Sequence, residues 1–338
     1  MPIISICPMP VENLPVPTTL VRWSQRLLKG LALSILASLN TQAANLIVGD
    51  QSYSARTVME AAGVLEDLPY ELEWKQFTAG SPVAEALNVG SLDIGLLGDS
   101  PALFMGALGA PIKVIGVSRQ NLDGVAIVVR KDSPINTVAD LAGKKVAIWK
   151  GSFSQQLMLT ALDKAGVARD AVDYRYLSAL DSSHALDGGS VDAIATWEPY
   201  VTQQERQGAR IIATAEGLIP AQSFIVANDQ TIKDKRAQIS DFLQRLQAAR
   251  AWSVSDPQHN ERYANAWSAL TKADAEVARR WFSRAQVVVV PITAQVVAGA
   301  QQTIDFFNNA GLTKRYPAAS VFDESFSAAL ADQAQAVR

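Results

Sequence analysis

The sequence comprises 338 residues, 49% of them hydrophobic and 19% charged, enough to bury more than one core and too apolar for a disordered chain. With 30 Lys and Arg against 33 Asp and Glu the net charge is -3, and no basic run is present to neutralise several phosphates, so nucleic acid is not expected as a partner. Two histidines, His184 and His259, and one cysteine, Cys7, leave little from which to build zinc clusters, Cys–His pairs or Ser–His triads. GxSxG, HExxH, GxGxxG and GxxxxGKS/T motifs are all missing, and neither a metal nor a cofactor is expected.

At the start of the chain, Arg22, Arg26 and Lys29 precede an apolar run from Gly30 to Leu39, which ends in Thr41-Gln42-Ala43-Ala44. This is the charged flank, apolar core and small-residue cleavage site of an export signal. The apolar run is far shorter than the roughly 20 residues that span a bilayer. A signal peptide over residues 1–43 is expected, with Met9 as an alternative start, and a periplasmic product follows from it. Removing the segment leaves a mildly acidic chain without cysteine.

An internal repeat follows. Leu46-Ile47-Val48 leads to Ser52-Tyr53-Ser54 as Val146-Ala147-Ile148 leads to Ser152-Phe153-Ser154. Further on, Ala86-Leu87-Asn88-Val89-Gly90-Ser91-Leu92-Asp93 answers Ala185-Leu186-Asp187-Gly188-Gly189-Ser190-Val191-Asp192, and Asp99-Ser100-Pro101 answers Trp197-Glu198-Pro199. Each copy reads as alternating strands and helices, with buried parallel-type runs at Ile94–Leu97 and Ala193–Ala195, and closes on a strand at Ile112–Val117 or Arg210–Thr214. The short apolar strand Phe224–Ala227 most economically rejoins the first sheet. Helices are expected over Ile232–Ser253, with Ile239, Phe242, Leu243 and Leu246 inward, and over Ala294–Asn308, with Val297, Gln301, Ile304 and Phe307 inward. The predicted fold class is α/β, of two lobes: a discontinuous first lobe (residues 44–121 and 222–338) and a second lobe (residues 122–221). Two crossings, near Asn121–Gly124 and Gly217–Gln222, would form a hinge.

Ligands of open parallel sheets bind at the carboxyl ends of the strands, where helices begin. Four helix starts are predicted there: Ser81-Pro82 and Ser100-Pro101 as N-cap followed by N1, Ser152 with Gln155 as a capping box, and Glu198-Pro199 as an acidic version. Converging N–H groups at the positive ends of helix dipoles suit an anion and need no buried Arg or Lys. Tyr53, Phe153 and Trp197 stand at ligand-facing turns, where they meet either an apolar tail or the core. The candidate ligand-binding residues are therefore Gln51, Tyr53, Gly80, Ser81, Asp99, Ser100, Gly151, Ser152, Phe153, Trp197 and Glu198. His184 falls on a helix surface, and His259 in a polar turn beside Pro257.

Phe77-Thr78-Ala79-Gly80-Ser81-Pro82, Gly90-Ser91-Leu92-Asp93, Gly98-Asp99-Ser100-Pro101, Lys150-Gly151-Ser152, Gly189-Ser190-Val191-Asp192 and Trp197-Glu198-Pro199 resemble one family in particular. It is the periplasmic solute-binding proteins of ABC importers for aliphatic sulfonates and taurine, and the likeness runs from Asn45 to about Phe322. The resemblance implies a type II periplasmic-binding-protein fold that closes on a sulfonate and serves sulfur acquisition by presenting it, as a monomer, to an ABC permease with its cytoplasmic ATPase. Carried over by position, Gly80-Ser81, Ser100 and Gly151-Ser152 would contact the anion, with Trp197 and Glu198 beside the tail. The family usually has Asp where Glu198 stands, and the segment after Tyr53 is shorter than in many relatives. Receptors of the same fold for taurine, nitrate, bicarbonate or a thiamine precursor are the alternatives. A clamp-fold enzyme is disfavoured, because such enzymes need reactive His and Cys positions.

Overall fold

The computed structural model describes residues 45–334; the export segment expected over residues 1–43, together with Cys7, lies outside them. The chain runs through β1 (Asn45–Gln51), α1 (Ser54–Ala61), β2 (Glu71–Phe77), α2 (Gly80–Asn88), β3 (Ile94–Gly98), α3 (Asp99–Ala107) and β4 (Ile112–Arg119). A second stretch follows as β5 (Val125–Val129), β6 (Lys145–Ile148), α4 (Phe153–Lys164), β7 (Asp173–Tyr176), α5 (Ala179–Asp187), β8 (Ala193–Trp197), α6 (Tyr200–Arg206) and β9 (Arg210–Thr214). The last third holds β10 (Ser223–Asn228), α7 (Asp229–Asp234), α8 (Arg236–Ser255), α9 (Pro257–Thr271), α10 (Ala275–Ala285), β11 (Val288–Val290), α11 (Ala294–Asn309) and α12 (Ser327–Ala334).

The strands form two sheets, β11-β4-β10-β3-β1-β2 and β7-β6-β8-β5-β9. Each sheet and its helices make one lobe, and the chain passes between the sheets twice, after Arg119 and after Thr214. In each lobe three parallel strands lie beside one antiparallel strand, β10 in the first and β5 in the second, and both of those strands carry a register shift where they meet the next strand. The inner strands β3, β5, β6, β8 and β10 are largely apolar because both faces are covered, whereas the edge strands β2 and β7 are mostly polar or aromatic. On the first sheet one core lies beneath α1, α8, α9 and α10, and another beneath α2, α3 and α11. The second sheet is likewise buried on both sides.

Repeat-matched residues make matched hydrogen bonds. The Asp93 carboxylate accepts from the N–H of Ile47, and that of Asp192 from Lys145, both at 2.8 Å. Ser91 Oγ donates to the carbonyl of Ala86, and Ser190 Oγ to that of Ala185, both at 3.0 Å. The Gly-Ser-x-Asp motif therefore ties the end of a helix to the neighbouring strand in each lobe.

The helix expected over Ile232–Ser253 is two helices, α7 and α8. The chain breaks at Lys235, whose Nζ donates to the Asn45 carbonyl and to Asp93. In α11 the buried face is Val296, Ala300, Thr303, Ile304 and Phe307, so Val297 and Gln301 stand at its edge. His184 is exposed on α5. His259 lies in α9, not in a turn, because Pro257 occupies the first turn where no N–H is missed; its ring stacks on Trp252 with centroids 4.5 Å apart.

Candidate functional site

A cleft opens between the lobes at the carboxyl ends of β1, β3, β6 and β8, lined there by Gln51, Gly98, Trp149 and Trp197. The first lobe adds Gly80 and Ser81 from the start of α2, Pro101 from α3, Arg250 from α8 and Trp281 from α10; the second adds Ser152, Phe153 and Glu198. Trp149 and Trp197 stand side by side, 6.5 Å between ring centroids. Phe153 belongs to the core of the second lobe and also reaches across to Gly98, where a β-carbon would lie 3.0 Å from its ring.

The helix starts around this cleft differ in how their free N–H groups are used. At α1 the buried Asp50 carboxylate accepts from the N–H groups of Ala55 and Arg56 at 3.0 Å each. At α4 Ser152 is the N-cap; its Oγ accepts from Ser154 N–H and donates to the Trp149 carbonyl. Gln155 reaches back to the N–H of Gly151, at 2.7 Å, rather than to Ser152, so the expected capping box is displaced by one residue. Glu198 accepts from the backbone and hydroxyl of Thr202 in α6, at 3.0 and 2.9 Å. Among these five, only α2 and α3 have no first-turn N–H bonded to a side chain, and the first N–H of α3 already donates to the Gln222 carbonyl. The N–H groups of the first turn of α2 have no intrahelical acceptor, which leaves Gly80 and Ser81 as the open donors on the cleft.

Three predicted caps are therefore corrected. Ser81 and Ser100 each lie at the second helical position, behind Ala79 and Gly98, and Pro199, not Glu198, is the N-cap of α6. Proline is tolerated anywhere in a first turn, since its missing N–H has no helical partner there, so Ser-Pro fixes a turn and not a cap position. Gln51, Gly80, Ser81, Ser152, Phe153, Trp197 and Glu198 are brought together at the cleft, while Tyr53, Asp99, Ser100 and Gly151 stand off it. Tyr53 packs against the core of the first lobe from a left-handed turn, φ 58°. Asp99 and Ser100 are fully buried, and the Ser100 hydroxyl donates to Asp99 at 3.1 Å. Gly151 holds a turn at φ 70° with its N–H already used by Gln155.

Three charged side chains line the cleft: Asp50, Glu198 and Arg250. Burial pushes the Asp50 carboxyl up, against its backbone hydrogen bonds and the nearby Arg250. Arg250 itself is buried and donates to Tyr263 Oη and Ser54 Oγ at 3.0 and 2.8 Å. Burial also raises the Glu198 carboxyl, opposed by Thr202 and by Arg284, whose Nη1 lies 2.9 Å from Glu198 Oε1. Sequence reasoning missed Asp50, Arg250, Trp149 and Trp281. Arg250 had a signal: it continues the apolar stripe Ile239, Leu243, Leu246 at helical spacing, where a cation has to find buried partners. Among the described residues no group of His, Cys, Asp and Glu is placed to hold a metal ion.

Two α/β lobes, two connections and a cleft with its own internally paired charges define a solute-binding protein that holds its ligand between lobes. Comparison with known proteins agrees. The chain belongs to the NMT1/THI5-like family, whose profile matches residues 70–260, within the group of ABC-importer binding proteins that includes those for aliphatic sulfonates. It is 34% identical over 266 residues to an aliphatic sulfonates-binding protein of Escherichia coli (strain K12), covering 78% of this chain and 83% of that one. A Bacillus subtilis (strain 168) protein of the same description is 27% identical over 283 residues, 82% and 84% of the two chains. The alkanesulfonate-binding protein SsuA from Xanthomonas axonopodis pv. citri, solved bound to MOPS, superposes with a TM-score of 0.77 at 29% identity, covering 84% of this chain and 99% of that one. The fold is thus the type II periplasmic-binding-protein arrangement, and relatives at this identity are binding proteins, not enzymes.

Proposed function

We propose that this protein is an exported receptor that binds an aliphatic sulfonate between its lobes and delivers it to an ABC permease driven by a cytoplasmic ATPase. The sulfonate oxygens accept from the open N–H groups of Gly80 and Ser81 at the start of α2, with Ser152 facing them from the second lobe. Arg250 supplies the one positive side chain among the described cleft-lining residues, and the tail lies against Trp149, Trp197 and Trp281. Residues 120–124 and 215–222 are the hinge. The reading is carried by one observation: the cleft combines an uncapped helix start with an aromatic wall, and both of its carboxylates already have partners. A monoanion with an apolar tail satisfies this lining, and a donor left empty would cost about 1–3 kcal/mol.

The test is a thermal-shift and calorimetric screen of ethanesulfonate, butanesulfonate, nitrate and a thiamine precursor. At a hundred times Kd, ligand adds about 2.7 kcal/mol to stability, so the preferred solute is evident as a clear rise in Tm. Alkanesulfonates are expected to give it. A rise with nitrate or the thiamine precursor and none with any sulfonate would replace this reading.

A further inference from the structure

The charge of Glu198 is met from the opposite lobe. Arg284 lies in the last turn of α10, a helix packed into the core of the first lobe through Ala278, Trp281, Phe282 and Ala285. Its guanidinium spans two carboxylates of the second lobe, with Nη1 at 2.9 Å from Glu198 Oε1 and Nη2 on Glu205. The end of α10 is itself anchored. The side chain of Asn121 donates to the Arg284 carbonyl at 3.0 Å, and the Asn121 N–H to that of Ala285 at 2.8 Å. Glu198 is equally confined: its N–H donates to the Gly124 carbonyl at 3.0 Å, and a β-carbon on Gly124 would come within 2.8 Å of Glu198 Cγ. The carboxylate thus lines the cleft while its side chain is only 5% exposed and its ionic partner is fixed from outside.

We propose that Arg284 sets the charge selectivity of the cleft: by occupying Glu198, it denies that carboxylate to a cationic group on the ligand. The cleft then favours sulfonates with uncharged tails over zwitterionic aminosulfonates. Asp50 offers an ammonium no substitute, because the backbone N–H groups of Gln51, Ala55 and Arg56 and the nearby Arg250 already surround it. Arg284 acts through Glu198 and is a positioning residue; it need not touch ligand. The inference rests on the sulfonate reading above and extends it to the tail.

Taurine and ethanesulfonate share their carbon count and sulfonate and differ by one ammonium group, so the ratio of their Kd values isolates the effect. Calorimetry at pH 7.5 on the full protein, Arg284→Gln, Arg284→Lys and the double variant Arg284→Gln/Glu198→Gln decides the matter. The wild type should favour ethanesulfonate. Arg284→Gln leaves Glu198 without a cation until a ligand brings one, so the ratio should move about tenfold or more towards taurine. Arg284→Lys and the double variant should stay within about threefold of wild type, the first because the charge is kept, the second because the carboxylate is gone. A merely structural role would weaken both ligands alike. An unmoved ratio in Arg284→Gln, or loss of both ligands in Arg284→Gln while Arg284→Lys still binds, would overturn the inference alone. A wild type that binds neither sulfonate would overturn the underlying reading and this inference with it.

Discussion

Among the described residues, Asp99 has no cation beside it. Its carboxylate accepts from the hydroxyls of Ser100 and Thr303, at 3.1 and 3.3 Å, and Thr303 Oγ1 in turn accepts from Gln156 of the second lobe at 3.3 Å. Burial dominates these bonds and pushes the carboxyl up to about 6. An acid whose pKa rises on folding binds more protons in the folded state, so stability increases as pH falls through about 6 towards 4 and is lost as pH rises. The span corresponds to about 3 kcal/mol. Asp99→Asn should therefore gain on the wild type, in Tm, between pH 5 and pH 8; a difference in Tm that does not change with pH would show that Asp99 is ionised throughout. Asp99 and Ser100 also mark a limit of reading residues from sequence. Neighbours on a helix point about 100° apart, so Pro101 lines the cleft while Ser100 turns into the protein. The chain order names the turn without fixing its rotation.

At the scale of the element, α2 matters most, because its first turn carries the open N–H groups. It lies directly on the strands beneath it. A β-carbon on Gly49 of β1 would sit 3.3 Å from Val83, and one on Gly95 of β3 would sit 2.5 Å from Val83 and 2.8 Å from Leu87. Gly95→Ala must lift Val83 and Leu87, both fully buried, at a cost of about 1–3 kcal/mol. It should lower the urea midpoint with an unchanged m-value and weaken sulfonate binding, since the start of the helix moves with its middle. Loss of stability with affinity intact would mean that the anion is held elsewhere. The inner strands and most helices were legible because continuous apolar runs and apolar positions of period 3.6 report which faces are covered. Helix starts were less so: Ser-Pro and Glu-Pro are compatible with several positions in a first turn, and only the packed backbone selects among them. The break at Lys235 was invisible, because it depends on Asn45 and Asp93, far away in sequence.

At the scale of the molecule, the duplicated motifs carried the architecture. Gly90-Ser91-Leu92-Asp93 and Gly189-Ser190-Val191-Asp192 stand at equivalent places in two sheets of matching strand order. The charge relations across the lobes were not legible in that way. Arg284 meets Glu198 and Glu205, and Arg206 meets Asp274 at 2.6 Å, through contacts that no local pattern announces. Small-angle scattering is expected to give a smaller radius of gyration with saturating alkanesulfonate than without it, as two lobes on two connections close. Profiles that superpose would argue for a rigid cleft.

The insertion of β10 between β3 and β4 imposes an order of assembly on the newly made chain. The second lobe is one continuous stretch from β5 to β9 and can complete its sheet as soon as it has been synthesised. The first cannot: until Asn228 has emerged, β3 and β4 each present a bare edge, and β4 lacks both of its neighbours. The segment made first is therefore finished last, and for the time of about a hundred further peptide bonds it offers unpaired strands to whatever chaperone accompanies it.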